Sequence, residues 1–150
     1  MSKPDLVALM LIIGSISACS DQETYFETEP ASPPGSWQFV TDYHPCYLKI
    51  KRSERSSFRV NCFQIDGKLH VHSNRFADIN QWFSEHLGLE SAWSYYVLDH
   101  PDILVSIENQ VYSMTAELEF DKARRLTILK GRNYDPVPEP IRVFRLIPRD

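Results

Sequence analysis

From Cys46 onward the chain alternates between apolar and polar positions. Cys46, Leu48 and Ile50 share one side of a period-two pattern, and Tyr47, Lys49 and Lys51 share the other, as in a half-buried strand. Phe58, Val60 and Cys62 repeat the pattern against Arg59, Asn61 and Phe63, and Leu69, Val71 and Ser73 repeat it against His70 and His72. Residues 44 to 75 therefore read as three consecutive antiparallel strands with one core face and one polar face. Asp66-Gly67 is the preferred pair for a type I′ turn and sets Cys62 opposite Val71 and Asn61 opposite His72. In the first hairpin, pairing Arg52 with Ser56 sets Ile50 against Phe58, Leu48 against Val60 and Cys46 against Cys62. A two-residue slip would keep the faces matched and part the cysteines, so the pattern favours that register without forcing it.

After Asn74 the period changes. Phe76, Ile79, Trp82 and Phe83 recur at helical spacing up to Gly88, and Ser91 to Leu98 forms a second short helix stopped by His100-Pro101. Ile103 to Glu108 and Val111 to Phe120 then form a hairpin around Asn109-Gln110. Asp121 opens a helix, KARRLTILK, closed by Gly131, and after a proline-rich loop Ile141 to Ile147 alternates once more. Three strands, a helical insertion, a hairpin, a helix and a closing strand make a mainly β fold: an antiparallel barrel of about six strands with two or three helices packed outside it. At 150 residues, with a hydrophobic fraction of 43% and 12% aromatics, one domain can bury a full core.

The N-terminus is a different object. Lys3 precedes an apolar run, Leu6 to Ile16, of 11 residues, which is too short for the ~20 helical residues that span a bilayer and fits a signal h-region. Ile16-Ser17-Ala18-Cys19 resembles the bacterial lipobox, in which the cysteine is lipidated and becomes the first residue after cleavage. Acyl chains add ~0.8 kcal/mol per buried CH₂, so a triacylated Cys19 would anchor the chain to a membrane. Residues 1–18 are thus expected to be a lipoprotein signal peptide, and residues 19–36, rich in acids and prolines, a lipidated solvated tether. Residues 37–150 are the domain. Ser20 is like the residue that follows the cysteine in lipoproteins sent to the outer membrane, so the expected location is the periplasm-facing side of the bacterial envelope, the outer membrane before the inner.

The charge of −4 comes mainly from the tether, because the domain holds 15 basic and 15 acidic residues. With neutral charge and an export signal, nucleic-acid binding is not expected. The bases are nonetheless segregated: Lys49, Lys51, Arg52, Arg55 and Arg59 cluster, none occurs between Arg75 and Lys122, and eight return by Arg149. Such blocks either converge on an anionic small molecule or form an ordinary solvated surface.

With Cys19 consumed by lipid, two thiols remain in an oxidising compartment. Cys46 and Cys62 are then a candidate disulfide, the alternative being two reduced core cysteines. His70 and His72 share a strand face at the spacing of two metal ligands, and His44 could lie near them, but no cysteine or carboxylate stands at ligand spacing and no metal is expected. Neither GxSxG nor HExxH occurs, and hydrolytic chemistry has no support.

Several local patterns occur together and in order. KRSERSSFR forms the first hairpin, VHSNR ends the third strand, and WSYYVLDHPDI carries Trp93 eight residues before Pro101. VYSMTAELEFDKARRL passes from strand to helix and IRVFRLIPR closes the chain. In this order residues 46–149 resemble the split-barrel flavin and deazaflavin proteins, the superfamily of pyridoxamine 5′-phosphate oxidase and the deazaflavin-dependent nitroreductases. The resemblance implies a split barrel, a homodimer with the ligand site at its interface, and cofactor-phosphate contacts from Lys51, Arg52, Ser53, Arg59, Ser73, Asn74 and Arg75. FMN or a deazaflavin is the cofactor it implies, and a flavin-dependent oxidoreductase the enzyme; it assigns no catalytic residue here. Two readings follow. One is an envelope lipoprotein whose split barrel binds a ligand without retained catalysis, and the other is a flavin- or deazaflavin-dependent oxidoreductase.

Overall fold

The computed structural model describes residues 24–51, 57–87 and 92–150. The strands are β1 (His44–Ile50), β2 (Phe58–Ile65), β3 (Lys68–His72), β4 (Asp102–Ile107), β5 (Gln110–Leu118) and β6 (Val143–Pro148). The helices are α1 (Ala77–Leu87), α2 (Trp93–Asp99) and α3 (Lys122–Gly131). The strands close into a barrel in the order β1-β2-β3-β6-β5-β4, with every neighbouring pair antiparallel. The mainly β barrel with helices outside it is the architecture read from the alternation.

Turn chemistry sets the tight hairpins. Asp66 (φ 52°) and Gly67 (φ 71°) form the left-handed pair between β2 and β3, with Cys62 opposite Val71 as expected. At Gly67 a side chain would be strained twice, by the positive φ and by Ser36 Oγ, 2.6 Å from where its Cβ would stand. The β4–β5 turn falls one residue earlier than Asn109-Gln110: Glu108 (φ 50°) and Asn109 (φ 63°) make it, and Ile107 pairs with Gln110.

The first hairpin takes the slipped register. His44 pairs with Cys62, Cys46 with Val60 and Leu48 with Phe58, two residues from the expected pairing. A shift by two leaves every inward side chain inward, so burial does not distinguish the registers. The connection here has no two-residue turn signal to do so. Arg52 and Ser56, the expected closing pair, lie outside the described residues. Cys46 and Cys62 are nevertheless bridged, across the diagonal of the ladder, with their Cα atoms 5.9 Å apart.

The barrel interior is filled from every strand, for instance by Leu48, Leu69, Val71, Val105, Met114 and Phe144, all essentially inaccessible. Trp37 and Val40 also join this core, Trp37 donating its backbone N–H to Gly67 O at 2.9 Å. Part of the stretch expected to be a solvated tether also lies on the barrel. Tyr25 stacks on Tyr47 at 3.7 Å, and Ala31 donates its N–H to Val111 O at 2.7 Å.

A second core lies outside the barrel. Phe63 and Val143 point opposite to Cys62 and Phe144, and Ile128 and Leu129 of α3 cover them together with Ile141. Asp121 caps α3, its side chain accepting from Arg124 N–H at 2.9 Å. Arg125 ties the same helix to the loop before β6, donating to Ile141 O at 2.6 Å and Pro138 O at 2.7 Å. This packing corrects one expectation about the polar face: His70 is not on an open surface but only 2% exposed.

Helix α1 keeps its apolar stripe outside, with Phe76, Ile79, Trp82, Phe83 and Leu87 all exposed. Its attachment is polar. Tyr95 of α2 donates to Asp78, and Arg142 pairs with Asp78 at 3.1 Å while its guanidinium carbon lies 4.5 Å from the centre of the Tyr95 ring.

Candidate functional site

Where β2 and β3 run beside the C-terminal end of α3, a groove of about 280 Å³ opens on the outside of the barrel. Its polar lining comes from Arg59 and Asn61 of β2, from His72, Ser73 and Asn74 at the end of β3, and from Arg132. Strand alternation explains the first group: Arg59 and Asn61 point away from the inward residues Phe58 and Cys62. Tyr43, Tyr134 and Trp93 supply aromatic walls.

Arg132 dominates the electrostatics. It follows the last turn of α3, its N–H bonded to Leu129 O at 3.1 Å, and is only 8% exposed. Its guanidinium carbon lies 3.9 Å from the centre of the Phe63 ring and 4.9 Å from that of Tyr43. Aromatic faces attract a cation but do not neutralise it. Among the described residues no carboxylate forms an ion pair with Arg132, and its Nε has no hydrogen-bond partner. Burial accordingly lowers its pKa, against the smaller opposing influence of Tyr43 and Asp42. A buried cation that has no carboxylate in contact, only the longer-range influence of Asp42, is costly, and an anion entering the groove would offset that cost.

The hydrogen bonds already made decide what the other groups can offer. Ser73 Oγ accepts from Arg142 N–H at 2.9 Å, leaving its own O–H as a donor. Asn74 Oδ1 accepts from Phe76 N–H at 2.9 Å, leaving its amide N–H groups. His72 Nδ1 lies 2.7 Å from Ser73 O and His70 Nδ1 2.8 Å from Lys68 O. A carbonyl only accepts, so in both rings Nδ1 carries the proton. Burial lowers both histidine pKa values, and Arg132 lowers that of His72 further. The groove is thus rich in donors and cations, with one neutral imidazole beside them.

The residues expected to contact cofactor phosphate divide. Arg59, Ser73 and Asn74 come together in the groove. Arg75 stands beside it, its guanidinium carbon 6.0 Å from the centre of the Tyr134 ring. Lys51 is elsewhere, in a cleft of about 440 Å³ with Asp99, His100, Asp102 and Arg149, where Arg149 and Asp102 already pair at 3.3 Å. Arg52 and Ser53 lie outside the described residues, as does Cys19. Among the described residues no three histidine, cysteine or carboxylate groups converge on a point that could hold a metal.

Arg132, Tyr43 and Tyr134 were not identified from the sequence. Arg132 stands in a polar helix end, KGRNYDP, where a solvated arginine is the ordinary expectation. Only the fold places it over Phe63.

No family model matches the sequence, and no curated protein matches it. Solved structures of similar shape exist. A candidate pyridoxamine 5′-phosphate oxidase from Listeria innocua is 12% identical, with 72% of this chain and 86% of that chain covered and a TM-score of 0.48. A NimC/NimA family protein from Clostridium acetobutylicum is also 12% identical, covering 72% and 74% with a TM-score of 0.47. A candidate pyridoxamine 5′-phosphate oxidase from Corynebacterium glutamicum is 16% identical, covering 81% and 88% with a TM-score of 0.41.

Proposed function

We propose that this chain is an envelope-anchored lipoprotein whose barrel domain binds an anionic small molecule in the groove at Arg132, without turnover. The observation that carries the binding part is the buried side chain of Arg132, in no ion pair among the described residues and with its Nε unpartnered, accompanied in the groove by Arg59, Ser73 and Asn74. Guanidinium forks, hydroxyls and amide N–H groups suit phosphate and carboxylate oxygens. The test is calorimetric titration of the mature protein with inorganic phosphate, in the wild type and in Arg59→Ala combined with Arg132→Met. Binding by the first and none by the second is expected; equal binding by both would place the anion elsewhere.

The anchoring part is supported by the Leu6–Ile16 run and by Ile16-Ser17-Ala18-Cys19. Labelled palmitate should enter the wild-type chain and be absent from Cys19→Ser.

The same donors fit the phosphate end of FMN or of a deazaflavin, which would supply hydride chemistry when bound. That second reading expects visible absorbance to appear on adding FMN, and a native mass of two chains, as the family resemblance implies. Colourless protein that gives no flavin signal on titration leaves the binding reading alone.

A further inference from the structure

We infer that His72 makes the groove selective for oxyanions that keep a proton, or that carry an O–H or N–H donor beside their charge. The inference rests on the anion-binding reading above and names the class of anion.

Arginine side chains only donate, and the capacity left on Ser73 and Asn74 includes donors. Asn61, Tyr43 and Tyr134, which also line the groove, can each turn a donor to the ligand, so a site built of these groups alone would take any oxyanion of the right size. His72 breaks that uniformity. Its Nδ1 is committed as a donor to Ser73 O at 2.7 Å, so the neutral ring carries a lone pair on Nε2. Among the described residues nothing hydrogen-bonds to that nitrogen, and His72 lines the groove. The ring cannot readily turn to offer something else. Phe63 lies 5.7 Å from it and the Tyr134 ring stands edge-on at 5.4 Å. Burial and the neighbouring Arg132 both keep the imidazole neutral. A fully deprotonated oxyanion would set its own lone pairs against that of Nε2, whereas an anion retaining one proton donates to it while its other oxygens face Arg132 and Arg59. A group left buried and unpaired loses affinity, by at least about fivefold where the partner should have been a hydrogen bond.

Inorganic phosphate and sulfate separate the two cases, because near neutral pH phosphate keeps a proton and sulfate has none. Calorimetry on the mature wild-type protein should show phosphate bound at least about fivefold more tightly than sulfate. His72→Phe keeps a ring between Phe63 and Tyr134 and removes the acceptor; it should bring the two affinities to within about twofold, mainly by weakening phosphate. His72→Gln restores an acceptor oxygen and should recover part of the preference. Equal binding of the two anions by the wild type, or a ratio that His72→Phe leaves unchanged in a folded protein, overturns the inference and leaves the anion-binding reading standing. Binding of neither anion overturns that reading and this inference with it. Should His72→Phe not fold, the wild-type ratio decides the matter.

Discussion

Cys46 and Cys62 are bonded to each other although neither is the other's partner in the strand ladder: Cys46 lies opposite Val60 and Cys62 opposite His44. The bridge therefore crosses the ladder diagonally, on the inward face, with both residues fully buried. It closes a loop of sequence separation 16, for which chain-entropy arguments give about 3 kcal/mol of stabilisation. Cys46→Ala combined with Cys62→Ala should lower the denaturant midpoint by an amount equivalent to about 2–4 kcal/mol. Two reactive thiols in unreduced, denatured protein would contradict the bridge.

A site that holds a buried cation for a ligand is expected to cost stability when empty. Arg132→Met replaces the guanidinium over Phe63 by a neutral, flexible thioether and removes the charge, so the melting temperature of ligand-free protein should stay the same or rise while phosphate binding is lost. Thermal denaturation with and without phosphate checks both at once. A drop of more than about 2 kcal/mol in the ligand-free protein would mean that the guanidinium is a structural group instead.

The two histidines fix the direction of a pH effect. Their folded-state pKa values lie below the ordinary value near 6.5, burial being the main cause, so the unfolded chain takes up protons first as the pH falls. Their contribution to stability is complete above about pH 6.5 and is lost as the pH drops from there toward the folded values. His70→Phe, which packs in the same place against Phe63, should flatten this part of the stability profile measured by urea unfolding. An unchanged slope in that variant would assign the pH dependence to other groups.

Helix α1 is held by a polar contact more than by its exposed apolar stripe. Asp78 receives the Tyr95 hydroxyl and the Arg142 guanidinium, and the Tyr95 hydrogen bond is the main reason its pKa is lowered. Asp78→Ala should speed amide exchange throughout α1 while global stability changes by no more than about 1 kcal/mol, because the pair is partly solvent-exposed. Equal loss of protection in the barrel strands would show that α1 is part of the global folding unit.

Much of the barrel was legible because its strands alternate. The inward set from Cys46 to Val71 follows from period two alone, and Asp66-Gly67 gives the β2–β3 register directly. The β1–β2 register was not legible, since a shift by two is invisible to alternation and the connecting segment has no turn signature. The outer face was read only in part. Phe63 and His70 carry the same parity as Arg59 and Asn61, so sequence period treats them alike; whether such a position meets water or a helix depends on where α3 docks. Arg59, Ser73 and Asn74 were named beforehand only through the family resemblance, since alternation alone sets Ser73 on the core face, and Arg132 was not named at all. Its role comes from burial, which is a property of the packed α3 and not of its own neighbours in sequence.

Because each strand has two bonded neighbours, the backbone ring from β1 round to β4 has no open side. Chains that meet at high local concentration, as on a membrane surface, commonly stick by adding strand to strand. The described strands offer no such template, so contacts that copies or a partner make with them would be made by side chains and can be altered one residue at a time.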